Sequence, residues 1–305
     1  MSQGLFRQRH PVFSGFLIFG AIMLFFWGGI TLFVSSLASP SRTDLFKKEA
    51  IGVIEVKGVI VESEKIIENL VAFRENEKIK GIVLRVDSPG GTVGASQEIY
   101  EEVRRTSDVK PVVASMASVA ASGGLYVSLA ARKVMANPGT ITGSMGVIFK
   151  FANFEGLFEK IGYRSEVIKS GELKDIGSSS RPMSEQERLM LQGLIDIVHD
   201  QFVLAAVQGR SLPEVEVRKI ADGRIFSGQQ AMEYGLVDQL GNFSDAVLLA
   251  ASLAGMKHEG MPPLVYPRKD DFSFLRLLTG EKNESLFRQT VGSGPVLVYE
   301  WTGPR

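Results

Sequence analysis

The chain has 305 residues, no cysteine, three histidines and a formal net charge of zero from 34 basic and 34 acidic residues. This composition excludes disulfides, a thiol nucleophile and a histidine-rich metal site, and the charge balance argues against a nucleic-acid partner. The length is sufficient for one large α/β domain beside a membrane segment.

The N-terminal region predicts a membrane anchor. Residues 11–40 contain no charged side chain, and an apolar helix of about 22 residues would span roughly 33 Å, enough for a bilayer core. Arg7 and Arg9 precede it and predict a cytoplasmic N-terminus at residues 1–12. We expect a single-pass transmembrane helix at 13–35 and a linker at 36–50. The catalytic domain would then face the periplasmic, extracytoplasmic side of the inner membrane. A cleaved signal peptide ending near Ala38 is the alternative.

Residues 51–255 alternate between strand and helix patterns, which predicts an α/β domain with a mainly parallel sheet. The predicted strands are Ile51–Ile60, Gly81–Asp87, Pro111–Met116, Lys133–Ala136 and Tyr163–Lys169. Helices are predicted between them, including one at Phe151–Ile161, and a capping box at Ser184 and Glu187 opens a long helix. Residues 256–305 form a tail whose apolar end is predicted to lie against the domain or a neighbouring subunit.

The stretch Pro111–Tyr126 carries the first chemical signal. A buried strand pattern ends in Ser122-Gly123-Gly124, and apolar residues then resume at helical spacing. Ser122 would thus sit at a helix N-terminus, where backbone N–H groups stabilise an alkoxide or an oxyanion. Ser122 is a candidate nucleophile; the alternative is an N-cap serine that only satisfies the helix end.

A serine nucleophile needs a base, and histidine is poorly supported. His10 is predicted to lie across the membrane, and we interpret His199, in the middle of a helix, as a structural or surface residue. Lys174 follows a predicted strand in a polar loop and is the remaining candidate. A lysine base must be neutral, so a dry pocket would have to lower its pKa from about 10.4 toward neutrality. The alternative is an ordinary solvated loop lysine.

Two glycine turns complete the candidate site. The Gly90-Gly91 turn follows a strand end, and the N–H of Gly123 directly follows Ser122. Together these backbone donors can form an oxyanion hole. Glycines in two ordinary tight turns are the alternative.

Five motifs, in order, then carry a family resemblance: DSPGG (87–91), KPVVASM (110–116), AASGG (120–124), TITGSMGV (140–147) and SGELKD (170–175). The chain resembles the signal peptide peptidase A (SppA) family of membrane-bound serine proteases, whose fold is ClpP/crotonase-like, with repeated ββα units. The resemblance implies Ser122 as nucleophile, Lys174 as general base and Ser144 as a residue that helps to hold the lysine. It also implies Gly91 as an oxyanion donor, with Gly123 as the second by its place after the nucleophile.

Ser115 and Ser118 are rival nucleophiles, but neither precedes a Gly-Gly pair. The chain departs from the family at Ala117-Ser118 and Leu125-Tyr126, which we expect to alter the pocket without removing a catalytic group. An apolar pocket for small or hydrophobic side chains is expected near Tyr126 and Val147.

The resemblance implies a serine endopeptidase that degrades signal peptides left in the membrane. It also implies a homo-oligomer in which neighbouring subunits complete a site. The mechanism requires no metal or organic cofactor. Three alternatives remain: a membrane quality-control protease, a crotonase-type acyl-CoA enzyme, and a catalytically dead peptide-binding scaffold.

Overall fold

The computed structural model describes residues 19–29, 49–257, 259–267 and 298–300. The chain divides into two compact units, residues 1–48 and 49–305. The described part of the first unit is an apolar helix, α1, at Phe19–Gly29. The predicted cytoplasmic segment 1–12, both ends of the predicted transmembrane helix 13–35 and most of the linker 36–50 lie outside the described residues. The anchor therefore stays a prediction.

The second unit alternates strands and helices. Its strands are β1 Ala50–Lys57, β2 Ile79–Ser88, β3 Gly90–Thr92, β4 Val112–Ala121, β5 Lys133–Ala136, β6 Ile141–Gly143, β7 Ile225–Ser227, β8 Gln239–Leu240, β9 Leu264–Val265 and β10 Val298–Glu300. Its helices are α2 Glu64–Glu75, α3 Val93–Val109, α4 Gly123–Leu129, α5 Glu155–Lys160, α6 Glu185–Arg210, α7 Glu214–Ile220, α8 Gly228–Glu233 and α9 Phe243–Leu253, with a 3₁₀ helix at Glu172–Asp175.

The main sheet runs in the order β7-β6-β4-β2-β1-β9, and β5 joins β4 to β8. Its pairings are parallel except for the antiparallel pair of β6 and β7. The first half of β4 pairs with β5, whereas its last three residues pair with β6. The C-terminal end of β4 therefore lies next to the candidate site residues.

Apolar side chains bury both faces of the sheet, as expected for parallel strands flanked by helices. Helix α9 covers one face, where Ile51, Val83, Val113 and Met135 contact its alanines and Val247. The other face packs against α2, α3, α4 and α6 in a larger cluster. The predicted α/β class with a parallel sheet is confirmed.

Helix α6 begins as predicted, because Ser184 and Glu187 form a reciprocal capping box. Among the described residues it is the one helix whose length and composition would suffice to cross a membrane. Its Val198, Phe202 and Ala206 are buried in the larger cluster, so we assign α6 to the domain core.

One local prediction was wrong, because no strand forms at 163–169. The helix predicted at 151–161 does form, but only over α5, Glu155–Lys160. Most side chains in this part of the chain are exposed. A strand here would therefore have no neighbouring strand with which to form a sheet.

The strand β3 forms a small second sheet beside the main one. Ile60 lies parallel to Gly91 on one edge of β3, and β10 pairs antiparallel with its other edge. The tail range 256–305 thus contributes β9 to the main sheet and β10 to the small one.

Candidate active site

Ser122 lies at the junction between β4 and α4. Its backbone has φ 55° and ψ −118°, a conformation that non-glycine residues rarely adopt. The residue is only 1% exposed, and its Oγ is buried without a hydrogen-bond partner among the described residues. A buried hydroxyl without a partner costs free energy, so this position is built for something other than stability.

Ser144 occupies an equivalent position after the neighbouring strand. Ala121 pairs with Gly143 in the register of β4 and β6, so each serine comes one residue past the paired ends. The N–H of Ser122 donates to the Gly143 carbonyl oxygen at 2.8 Å. Ser144 also has a positive φ, 51°, and is buried. The sheet register therefore brings Ser122 and Ser144 together.

The glycines of the two turns also lie side by side. A Cβ placed on Gly123 would lie 3.1 Å from the Cα of Gly90 and 3.2 Å from the nitrogen of Gly91. Gly90 has φ 107°, which favours glycine. Its carbonyl oxygen accepts from Ile60 N–H, and Thr92 N–H donates to Ile60. Because neighbouring peptide groups of a strand point to opposite edges, the N–H of Gly91 points away from Ile60.

Side chains from the end of β2 fix this turn. The Oγ of Ser88 accepts a hydrogen bond from the N–H of Gly90 at 3.1 Å. A carboxylate oxygen of Asp87 accepts from the N–H of Val119 at 3.1 Å, where the pairing of β2 and β4 is irregular. These contacts hold the DSPGG turn against the end of β4, immediately before Ser122.

Lys174 is not joined to this group. It lies on the 3₁₀ helix Glu172–Asp175, its side chain is exposed, and among the described residues its ammonium makes no hydrogen bond or ion pair. The structure of the single chain therefore brings together Ser122, Ser144, Gly91 and Gly123, and leaves Lys174 on the surface.

Ion pairs hold the loop that carries Lys174. The guanidinium of Arg181 donates to the carboxylates of Asp175 and Glu187, and Lys169 donates to Asp175 at 2.6 Å. Hydrogen bonds from Arg181 and then Lys169 hold the pKa of Asp175 well below its usual range. Hydrogen bonding to Arg181, followed by the Ser184 N–H, lowers the pKa of Glu187 to about 2. The loop is thereby tied to the start of α6.

The segment around this loop exposes an apolar surface, which we call the outer apolar segment. Its members are Phe154, Leu157, Ile161, Tyr163, Val167 and Ile168. A cleft of about 510 Å³ lies beside it, between Phe151, Arg181 and Ile195. None of the five candidate site residues lines this cleft, so we do not place the chemistry there.

The other candidate groups have structural partners. The Oγ of Ser115 accepts from Arg85 at 2.8 Å, and Ser118 is exposed. A ring nitrogen of His199 lies 2.6 Å from the carbonyl oxygen of Ala221, which agrees with its structural interpretation. The expected apolar pocket near Tyr126 is filled by Tyr299 from β10. The sequence pattern did not associate Tyr299 with the site. The one feature that pointed to this residue was the apolar end of the tail.

Comparisons with known proteins converge on one family. The family model of peptidase family S49 matches residues 104–257, and the Clp protease model matches residues 42–142. A Synechocystis protein provisionally named a protease is 46% identical over 218 residues, which cover 71% of this chain and 78% of the relative. A similarly named Methanocaldococcus jannaschii protein is 34% identical over 257 residues, covering 79% and 82%. An Enterococcus faecium protein, provisionally named signal peptide peptidase SppA, is 38% identical over 212 residues, covering 69% of this chain and 59% of the relative.

Proposed function

This chain belongs to peptidase family S49, and from that premise we propose that it is a serine endopeptidase with Ser122 as nucleophile and Lys174 as general base. Its similarity to the SppA protein of Enterococcus faecium and to the Clp protease family model identifies it as an SppA-family member with a ClpP-like fold. Membership of this family supports serine peptidase activity. The assignment of the catalytic residues and of the substrate is our proposal.

The observation that carries the proposal is the state of the Ser122 hydroxyl. It is buried, has no hydrogen-bond partner in the described part of the chain, and sits on a strained backbone beside the N–H groups of Gly91 and Gly123. Strain and unmet hydrogen bonding persist where a site is preorganised for a reacting group. A substrate carbonyl entering here would meet the hydroxyl and two backbone donors at once.

In the proposed reaction, the Oγ of Ser122 attacks the substrate carbonyl while Lys174 accepts its proton. The N–H groups of Gly91 and Gly123 stabilise the oxyanion of the tetrahedral intermediate. Lys174 then donates the proton to the leaving amine, and an acyl group remains on Ser122. Water, deprotonated by Lys174, releases the product. Ser144 supports the lysine from its place beside Ser122.

This role requires that Lys174 leave its exposed setting, since a lysine base needs dry surroundings. A second copy of the chain that covers the outer apolar segment would supply them. Six large apolar side chains exposed in a stretch of 15 residues favour such an interface. We therefore infer a homo-oligomer in which a neighbouring subunit completes each site.

We infer that the peptidase is anchored by a single transmembrane helix at 13–35, with residues 1–12 in the cytoplasm. Residues 36–50 would link it to a protease domain at 51–255, with the tail 256–305, on the periplasmic side of the inner membrane. The apolar character of α1 supports this arrangement.

An anchored site lies near the bilayer surface, so we propose signal peptides remaining in the membrane as substrates. A membrane-associated quality-control protease that cleaves membrane or secreted proteins is the second candidate. The acyl-CoA alternative has no support among the three relatives described above, which are named as proteases or as a peptidase.

The test is peptidase activity of the full chain in detergent on a fluorogenic apolar peptide. We expect both Ser122→Ala and Lys174→Ala to abolish activity, and the wild type to gain activity as pH rises from about 6 to 10. Activity that survives in Lys174→Ala would remove the lysine from its role. An inactive, folded, oligomeric wild type would contradict the proposal.

A mixing experiment tests the shared site. The inactive Ser122→Ala and Lys174→Ala proteins are dissociated, mixed and allowed to reassociate. If Ser122 of one copy works with Lys174 of another, some of the mixed sites then contain both intact residues. Recovery of about a quarter to a half of the activity is then expected, depending on the mixing statistics. Lys150→Ala, which changes another lysine outside the proposed site, is the control and should retain full activity.

A further inference from the structure

Ser96 is a buried serine to which the proposed mechanism gives no role. It lies in the first turn of α3, directly after the strand β3 that carries Gly91, and it is 0% exposed. Its hydroxyl donates to the carbonyl oxygen of Thr92 at 2.8 Å. A serine bond of this kind, to the carbonyl four residues back, slightly destabilises a helix. Helix stability therefore does not account for the hydroxyl at this position.

The same hydroxyl oxygen packs against the second oxyanion donor residue, Gly123. A Cβ placed on Gly123 would lie 2.7 Å from the Oγ of Ser96, closer than real Cβ atoms approach, and 3.2 Å from the nitrogen of Gly91. The Oγ thus fills the space beside the Cα of Gly123 that a side chain would take. One oxygen atom is therefore bonded to the residue that follows Gly91 and packed against Gly123.

The two donor peptides are each held at their carbonyl end. The N–H of Gly91 shares its planar peptide with a carbonyl that accepts from the Ile60 N–H at 2.8 Å. The N–H of Gly123 shares its peptide with the Ser122 carbonyl, which accepts from the Tyr126 N–H at 2.8 Å. These bonds set the direction of each N–H group, but they do not join the two peptides to each other. The Ser96 hydroxyl lies where it can set their separation.

The separation matters because one oxyanion must be reached by both donors. Donors act at about 2.7–3.1 Å from the oxyanion, and a displacement of about 1 Å can lower the rate by about 100-fold. Ser96→Ala would leave a space of about one oxygen atom between Thr92 and Gly123. The first turn of α4 can shift into this space, which would displace the N–H of Gly123.

We propose that Ser96 is a positioning residue of the oxyanion hole, whose hydroxyl sets the distance between the donor peptides of Gly91 and Gly123. The inference rests on the proposed function and adds one residue to its machinery. Ser96 acts through the two glycines rather than on the substrate. Its loss should therefore weaken binding of the tetrahedral intermediate and leave binding of the uncleaved peptide unchanged.

The competing interpretation is that Ser96 is only a buried helix hydroxyl, and Ser128 is the matched control for it. Ser128 is also 0% exposed, and its hydroxyl donates to the carbonyl oxygen four residues back, Gly124, at 2.7 Å. It lies on the second turn of α4, and its bond does not reach β3. If a lost buried hydroxyl were the whole effect, Ser96→Ala and Ser128→Ala would behave alike.

The first test is steady-state cleavage of the fluorogenic apolar peptide by the full chain in detergent. We expect Ser96→Ala to lower kcat by about 10- to 100-fold and to leave KM within about 2-fold, the pattern of an interaction made in the transition state. Ser128→Ala should keep kcat within about 2-fold of the wild type.

The second test uses a peptide trifluoromethyl ketone of the same sequence. The Oγ of Ser122 adds to the ketone carbon, the carbonyl electron pair moves onto its oxygen, and Lys174 takes the serine proton. The adduct places an oxyanion between the two donors, so its Ki should weaken by the same factor as kcat/KM in Ser96→Ala. Binding of the uncleaved peptide, measured in a Ser122→Ala background, should not change.

Ser96→Cys gives a further measurement should Ser96→Ala fail to fold. The sulfur keeps the space filled, but it is larger than oxygen and its thiol is a weak donor, so kcat and Ki should worsen together here as well. Wild-type kcat and Ki in the folded Ser96 variants, a loss confined to KM, or equal losses in Ser96→Ala and Ser128→Ala would overturn the inference while the proposed function stands. A wild type that neither cleaves the peptide nor binds the ketone would refute the proposed function, and this inference with it.

Discussion

Replacement of Ser122 by alanine is expected to stabilise the protein while it removes the nucleophile. The Oγ is buried without a hydrogen-bond partner among the residues that the structure describes, and leaving such a group in the folded state costs about 1–3 kcal/mol. Alanine keeps the Cβ and shares the strained φ of 55°, so the strain cancels in the comparison and the lost desolvation penalty remains. For a domain of this size each kcal/mol shifts the melting temperature by about 2–4 °C. We therefore expect an increase of about 2–12 °C.

The assay is thermal unfolding of the full chain in detergent, followed by circular dichroism. Ser128→Ala is the matched control, because Ser128 is equally buried on the same helix but its hydroxyl donates to the Gly124 carbonyl oxygen at 2.7 Å. Its melting temperature should be unchanged or lower. Repeating the Ser122 substitution in a Lys174→Ala background removes any lysine partner, and the gain should be equal or larger. A Ser122→Ala protein that melts at or below the wild type in both backgrounds would refute this reasoning.

Gly91→Ala is expected to lower kcat/KM by about 100-fold or more, because its Cβ would overlap the backbone of Ile60 and displace the oxyanion donor; steady-state kinetics on a protein with unchanged circular dichroism test this. Lys174→Arg should be inactive from pH 6 to 10, since guanidinium stays protonated, and any activity in the same peptide assay would contradict the dyad. The lowered pKa of Glu187, about 2, means that its ion pair with Arg181 contributes stability above about pH 4.3 that is lost as the pH falls toward 2. Glu187→Gln should flatten the dependence of melting temperature on pH in that window, and an unchanged profile would show that the pair is not the cause.

The sequence predicted the parallel sheet and its order of strands and helices well, because buried parallel strands appear as continuous apolar runs. The runs before Asp87 and Ser122 became β2 and β4, and the capping box at Ser184 began α6. The predicted strand at 163–169 failed, since this pattern reports alternation but not the presence of a neighbouring strand. Outside the packed sheet, local pattern alone does not decide the structure.

The same distinction between the packed sheet and the exposed segments applies to the candidate site residues. Ser122, Ser144 and the two glycines follow strand ends, and parallel register brings strand ends together, so their proximity follows from the fold. Lys174 lies on an exposed 3₁₀ helix, and in our proposal it reaches Ser122 only when a neighbouring subunit packs against this part of the chain. Tyr299 lies far along the chain, and its pairing with β3 is a nonlocal contact that no short motif encodes.

The central claim is that Ser122 carries the acyl group during hydrolysis. The most direct measurement is rapid acid quenching of the wild type with an activated ester of an apolar peptide, followed by mass spectrometry of the digested protein. The account predicts one acyl adduct, on Ser122, that forms far more slowly in Lys174→Ala. An adduct on Ser115 or Ser118, or turnover without any adduct on Ser122, would contradict it.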